Sequence, residues 1–193
     1  MSYSARSGNG IVFFDLSQDD YYCEYLYEPL GDYRGNATMR VCSERSADDV
    51  PLKENPWMAA PRPSKDARPL DGVRFLAALV ETSIVFRHAS VRDMLCHVSE
   101  RSLPLADLQT AADIAHVYRD LLMVMPLRRE CLFKSFLLMN FLRRYGVTAE
   151  WVFGVHLFPF RAHCWIAVGP YVLNERPHRI EDYQTILTFG RHE

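Results

Sequence analysis

Residues 130–158 read ECLFKSFLLMNFLRRYGVTAEWVFGVHLF, and the hydrophobic period of the chain changes within them at Gly146. The part before this glycine is almost wholly apolar over the length of a helix. Arg143 and Arg144 stand in its last turn, and Gly146 stands where a helix end favours a left-handed residue. The part after it alternates with the period of two that is typical of a strand. The stretch therefore predicts a buried helix that leads directly into a β-sheet.

The flanking sequence extends this pattern in both directions. Downstream, AHCWIAV (162–168) and YVLNE (171–175) indicate two more strands joined by a tight Gly-Pro turn. Upstream, three helices are predicted: one to about His88, one from a Ser90 cap to Arg101, and one that Pro126 ends. The first of them carries an apolar stripe at helical spacing, formed by Val73, Leu76, Ala77, Val80, Ile84 and Val85. Helices followed by a small antiparallel sheet indicate an α+β fold.

The front of the chain has a different composition. IVFFDL (11–16) and YYCEYL (21–26) flank the polar turn SQDD and predict a β-hairpin. Residues 28–70 are rich in Pro, Gly, Asn and Asp, which is typical of a linker or an irregular crossing. We therefore predict two parts, residues 1–62 and residues 63–193, with a boundary near Pro63.

Composition narrows the class of protein. The chain has 193 residues and a net charge of −2, so nothing global favours nucleic acid as a partner. No apolar run reaches the roughly 18 residues of a membrane helix, and the N-terminal stretch lacks the pattern of a secretory signal. We expect a cytoplasmic protein that does not bind membranes. The five cysteines are scattered without C-x-x-C spacing, which disfavours a disulfide framework and a four-cysteine zinc site.

Three of the chemically active residues could form a nucleophilic site. Cys131 is predicted in the first turn of the buried helix, where free N–H groups and the helix dipole stabilise a thiolate. His163 begins a strand and could take the thiol proton. Glu175, or failing that Asn174, follows on the next strand and could bind the outward nitrogen of the imidazole. This is a workable arrangement of nucleophile, base and orienting group.

Simpler interpretations compete with this one. A cysteine on an apolar helix, a histidine at a strand start and a glutamate in a turn are each, taken alone, more often structural. A zinc site built from Cys131, His163 and Cys164 is disfavoured, since adjacent strand residues point to opposite faces. The same alternation turns Cys164 away from whatever His163 faces. Cys164 is therefore expected in the core rather than as the nucleophile.

The region from Arg129 to Glu175 resembles the transglutaminase-like core of the lasso-peptide maturation proteases, the B proteins of microcin-type gene clusters. Their pattern has Cys-Leu at the head of a helix that ends in Leu-Arg-Arg-x-Gly, then a Gly-Val strand, Ala-His-x-Trp and Val-Leu-Asn-Asp. This chain has CLFKSFLLMNFLRRYG, FGVHLF, AHCWIAV and YVLNE in the same order and at similar spacing.

The resemblance implies a papain-like cysteine peptidase that removes the leader from a ribosomally made lasso-peptide precursor. Cys131 would be the nucleophile and His163 the general base and acid. The family's third triad position, an aspartate, is occupied here by Glu175, and Asp182 is a further candidate for the orienting acid. Trp165 would form a wall of the site.

The resemblance also implies partners. The freed core peptide would pass to an asparagine-synthetase-like cyclase that makes the macrolactam. The family is associated with ATP dependence, but the chain has no Gly-rich phosphate loop, so we expect it to bind no nucleotide. No other cofactor and no metal are expected in this chain.

The first part of the chain resembles the fused leader-recognition element of these proteases, in which an extended leader adds a strand to a sheet edge. A plain core hairpin is the alternative interpretation of IVFFDL. For the whole protein, a transglutaminase-like acyltransferase and a non-catalytic chaperone that binds the precursor are the alternative functions.

Overall fold

The computed structural model describes residues 2–7, 10–16, 20–25, 57–64, 68–99, 103–125, 130–156 and 159–190. Within them lie four helices: α1 (Pro69–Phe86), α2 (Val91–Ser99), α3 (Leu108–Met123) and α4 (Cys131–Arg143). The fold is α+β, as the sequence predicted. None of the helices in these residues combines the length and apolar character needed to cross a membrane.

The strands in the described residues form two sheets. The first sheet has the order β1 (Ser2–Ser7), β2 (Gly10–Asp15) and β3 (Asp20–Tyr25), all antiparallel. The second has the order β4-β7-β6-β5-β8, with the bounds Met58–Ala59, Tyr171–Val172, Arg161–Val168, Glu150–His156 and Gln184–Phe189. The pairing of β2 with β3 confirms the predicted hairpin, whose turn residues 17–19 lie outside the described part of the chain.

Local signals place the helix ends as predicted. Ser90 and Asp93 form a capping box at the start of α2, in which Ser90 Oγ accepts the Asp93 N–H at 3.2 Å and Asp93 Oδ2 accepts the Ser90 N–H at 3.0 Å. Gly146 has a φ of 75°, the left-handed conformation expected after α4. The predicted end signal at Pro126, the predicted C-terminus of α2 at Arg101 and most of the Pro- and Gly-rich segment lie outside the described residues.

The buried face of α1 differs from the one that its apolar stripe indicates. Phe75, Ala78 and Thr82 face inward, whereas the side chains that remain exposed include Val73, Leu76, Val80 and Ile84. The inward face fits α4: the Phe75 ring meets Phe141 edge to face, and Asn140 Nδ2 donates to Thr82 Oγ1 at 2.9 Å. The inward face of α1 therefore combines aromatic packing with a buried hydrogen bond to Thr82, and most of the apolar stripe lies on the other side of the helix.

The first sheet shares the core of the helices. Val12 and Phe14 are buried in the same cluster as α4 and β5, and the Phe14 ring stacks on Phe153 at 6.1 Å between centroids. IVFFDL is therefore a core strand in this structure. The division at residues 62 and 63 stays a prediction, and the contacts between its two sides are extensive.

Four strands differ from the sequence expectation. YVLNE forms a strand only over Tyr171–Val172. Beyond Val172 the Ile166 N–H of β6 is bound by a side chain, since Asn174 Oδ1 accepts it at 2.8 Å. The segment that we interpreted as a linker contributes β4, which pairs in parallel with β7. Strand β8 follows a short 3₁₀ helix at Pro177–Arg179 and closes the sheet beside β5. β1 was not anticipated either, since its sequence is rich in serine.

Candidate active site

The candidate nucleophile lies at a helix N-terminus. Cys131 is the first residue of α4, after Glu130 in an extended conformation, and its side chain is half-buried. The first N–H groups of a helix have no partner within it, and the helix dipole adds partial positive charge at this end. Both features stabilise a thiolate at Cys131.

His163 and Glu175 form the hydrogen-bonded pair expected beside this cysteine. His163 Nε2 lies 3.2 Å from Glu175 Oε2, which leaves Nδ1 as the ring nitrogen available to the thiol. Glu175 is itself held in place, since its Oε1 accepts the Arg176 N–H at 3.1 Å and lies 3.7 Å from the Arg179 guanidinium. The structure thus brings Cys131, His163 and Glu175 together from α4, β6 and the segment after β7.

The electrostatics of the three groups favour an ion pair. A hydrogen bond from Cys164 is the largest influence on the Cys131 thiol, and with the bond and charge of His163 it outweighs burial and lowers the pKa to about 4. Burial alone would lower the pKa of His163, but the hydrogen bonds with Cys131 and Glu175 raise it to about 9. The bond to His163 lowers the pKa of Glu175, against the effect of burial. Both shifts favour a thiolate on Cys131 and an imidazolium on His163 at neutral pH.

The two other candidates for orienting His163 have different positions. Asn174 is occupied elsewhere: its Oδ1 accepts the Ile166 N–H, and its Nδ2 donates to Ser135 Oγ at 3.1 Å. Asn174 therefore links β6 to α4, and the next residue, Glu175, bonds His163 instead. Asp182 is exposed in the turn before β8. Glu175 is the carboxylate bonded to the imidazole.

Cys164 is buried, as expected, but it is closer to the site than strand alternation implied. It is 4% exposed and belongs to the main core cluster, while His163 packs on the other face of the sheet against Trp165 and Tyr183. Strand β7 pairs only with Ala167 and Val168, so it does not cover the β6 edge near Cys164. Cys131 interacts with both His163 and Cys164, so Cys164 borders the site although it lies in the core as expected.

A cluster of aromatic rings packs against the His163 imidazole. Trp165 is fully buried, its ring centroid lies 6.1 Å from that of His163, and Trp57 meets it edge to face at 5.3 Å. Tyr183 packs beside His163 at 5.6 Å. Gly154, the β5 partner of His163 in the register, makes room for the cluster, since a Cβ there would stand 2.6 Å from the Trp165 ring.

Sequence reasoning found Trp165 but missed three members of this environment. Trp57 lies in a proline-rich segment and Tyr183 in a polar one, so neither showed a pattern. Gly154 interrupts an otherwise apolar strand, and that isolated glycine was a usable signal of close packing. In the described parts of the chain, no group of three or more His, Cys, Asp or Glu residues is placed to hold a metal ion.

The site combines a cysteine at the start of a helix, a histidine on the strand packed against that helix, and an acid that follows in sequence. Known protein families can be searched for this combination. The profile of the transglutaminase-like superfamily matches residues 73–188, which include all three groups and most of the chain. This chain belongs to the transglutaminase-like superfamily. No curated protein and no solved structure matches it.

Membership of this superfamily indicates the general class of reaction. The transglutaminase-like superfamily includes cysteine peptidases and acyltransferases, enzymes in which a thiol, an imidazole and a carboxylate act together. The match begins within α1 and ends within β8, so it covers α2–α4 and β5–β7 in full, whereas β1–β4 precede it.

Proposed function

We propose that this protein is a cysteine peptidase that removes the leader peptide from a ribosomally made lasso-peptide precursor before the macrolactam forms. The observation that carries the proposal is the hydrogen-bonded pair of His163 and Glu175 beside Cys131 at the N-terminus of α4. The motif resemblance over residues 129–175 supports the choice of substrate. The protein acts in the cytoplasm and passes the core peptide to an asparagine-synthetase-like cyclase.

The geometry supports a two-step acyl transfer. The Cys131 thiolate attacks the scissile carbonyl, and the free N–H groups of the first turn of α4 stabilise the oxyanion that develops. The His163 imidazolium then donates its proton to the leaving amine, which gives a thioester on Cys131. Neutral His163 next takes a proton from water, which attacks the thioester and releases the leader. Glu175 holds the imidazole in the tautomer that both steps require.

The first sheet supports a role in capturing the leader. Among the described strands, β3 lies at the edge of the order β1-β2-β3, where an extended peptide could add a fourth strand through backbone hydrogen bonds. Phe14 of β2 stacks on Phe153 of β5, so a peptide bound at this sheet would be linked through one packed core to the strand beside His163.

The test is incubation of the purified protein with the full-length precursor, followed by mass spectrometry. We expect two fragments whose masses sum to the precursor plus one water. Cys131→Ala should lower the rate by on the order of a thousandfold or more, since it removes the nucleophile. Cys96→Ala, which changes an exposed thiol on α2, is the matched control and should cleave normally.

The products distinguish the alternatives. Loss of ammonia or of an amide fragment together with a new amide bond to an added amine would identify an acyltransferase instead. Binding of the precursor without any change in its mass, in wild type and Cys131→Ala alike, would identify a non-catalytic chaperone. Either result would overturn the peptidase proposal.

A further inference from the structure

The buried thiol next to the candidate base has no role in the two-step reaction above. Cys164 follows His163 directly in β6 and is 4% exposed. Its own pKa is raised well above the ordinary value by burial and by the neighbouring Cys131 sulfur, so it stays protonated at neutral pH. A protonated thiol can donate a hydrogen bond.

The backbone fixes the orientation of Cys164 toward α4. Ser135 Oγ donates to the Cys164 carbonyl at 3.1 Å, and Ser135 lies one helical turn after Cys131 on the same face of α4. The N–H and C=O of one strand residue point to the same edge of the strand. The Cys164 N–H is therefore directed to the edge along which Cys131 lies, one turn before the bonded serine.

We propose that Cys164 is a positioning residue of the active site: its buried thiol and its backbone N–H donate hydrogen bonds to the Cys131 sulfur and hold that sulfur as a thiolate. The inference rests on Cys131 being the nucleophile of the proposed function. The thiolate then depends on two supports. One is the charge of His163 on one face of the sheet, and the other is the pair of neutral donors of Cys164 at the strand edge.

This arrangement has a chemical reason. The Cys164 donors carry no charge, so their support of the Cys131 sulfur does not depend on the protonation state of His163. They stabilise the thiolate before it attacks the carbonyl. They continue to stabilise the sulfur when it leaves again as a thiolate during hydrolysis of the thioester.

The test measures the ionisation of Cys131 without any substrate. The full chain is treated with iodoacetamide over a range of pH, digested with trypsin, and the alkylation of the peptide ECLFK (130–134) is followed by mass spectrometry, which separates Cys131 from the exposed Cys96. The wild type should show a midpoint well below the ordinary pKa of a thiol, because alkylation requires the thiolate.

Three substitutions at Cys164 separate the donor from packing. Cys164→Ala and Cys164→Val both remove the side-chain donor, and valine fills the space. Both should raise the alkylation midpoint by about one pH unit or more. Cys164→Ser keeps a donor and should stay within about half a pH unit of the wild type. Near-ultraviolet circular dichroism and thermal melting identify which variants are folded.

The outcomes are decisive for this proposal alone. A midpoint that is equal in wild type and in a folded Cys164→Val or Cys164→Ala variant overturns it, and so does a serine variant that behaves like alanine. Precursor cleavage is a separate measurement. A protein that fails to cut the precursor but shows the predicted shifts would contradict the proposed function and leave the role of Cys164 intact.

Discussion

At the scale of single residues, the carboxylate that orients His163 is open to a direct test. Glu175→Gln should lower kcat by roughly tenfold to a thousandfold, because the neutral amide stabilises the imidazolium less than the carboxylate does. Asp182→Asn, an exposed acid in the following turn, is the matched control and should leave kcat unchanged. The measurement is steady-state cleavage of the precursor by both variants.

The same substitution has a signature in the pH profile. Glu175 raises the pKa of His163, so its loss lowers that pKa from about 9. The imidazolium that protonates the leaving amine is then lost at lower pH, and the alkaline limb of kcat should move to lower pH. A silent Glu175→Gln together with a severe Asp182→Asn would assign the orienting role to Asp182.

The residues of the site differ in how far sequence could place them. Cys131 and His163 follow from a helix start and a strand start, which composition marks strongly. The contact of Cys164 with Cys131 did not follow. Strand alternation tells which face a side chain points to, but it does not tell which element lies along the edge of a strand. The β6 edge near Cys164 is not paired with β7, since β7 pairs with Ala167 and Val168 and the side chain of Asn174 binds the Ile166 N–H.

At the scale of secondary-structure elements, the close approach of β5 to the aromatic cluster makes a prediction. In Gly154→Ala the new Cβ would stand 2.6 Å from the Trp165 ring and 3.2 Å from Tyr183, both of which flank His163. Trp165 is fully buried and has no space to retreat. We expect a loss of about 1–3 kcal/mol in the free energy of unfolding, with a fall in kcat as the imidazole is displaced.

Gly72→Ala is the matched control for this change. Gly72 lies in α1 with nothing within 4 Å of an added Cβ, so alanine there should stabilise the helix by up to about 1 kcal/mol and leave kcat unaltered. Thermal melting and steady-state kinetics on both variants check the pair. Equal melting temperatures for Gly154→Ala and the wild type would show that β5 and Trp165 are not packed as described.

Helix positions were more predictable than helix faces. Caps such as Ser90 and the stop at Gly146 are local signals, and they placed the ends within a few residues. The inward face of α1 packs against α4, which lies far along the chain and supplies both Phe141 and the Asn140 that bonds Thr82. The apolar periodicity of one helix carries no information about a hydrogen-bond partner that lies far along the chain and meets the helix only in the folded structure.

At the scale of the whole molecule, the shared core predicts cooperative unfolding. Phe14 is 1% exposed and stacks on both Tyr21 and Phe153, so Phe14→Ala should cost about 3–5 kcal/mol. Because its neighbours belong to both sheets, the protein should still unfold in one transition, at a lower temperature. Ser4→Ala, an exposed change on β1, is the control.

Differential scanning calorimetry distinguishes this behaviour from independent units. If Phe14→Ala shifts only an early transition and leaves a later one in place, the front strands unfold separately from the second sheet. Composition alone suggested such a separation, since residues 28–70 are rich in breakers of regular structure. It could not show that Phe14 and Phe153 meet, because that contact joins segments far apart in sequence.

The parallel pairing of β4 with β7 has a consequence for the order of folding. The hairpin of β5 and β6 closes a short loop, whereas Met58 donates to the Pro170 carbonyl across more than half of the chain. Closing a long loop costs more chain entropy than closing a short one, so β4 should join the sheet after the hairpin has formed. Trp57, which precedes β4, covers Trp165 only at that point. The packing of Trp57 on Trp165 beside His163 would thus form late, and a folding chain would carry the proposed nucleophile and base before their surroundings are complete.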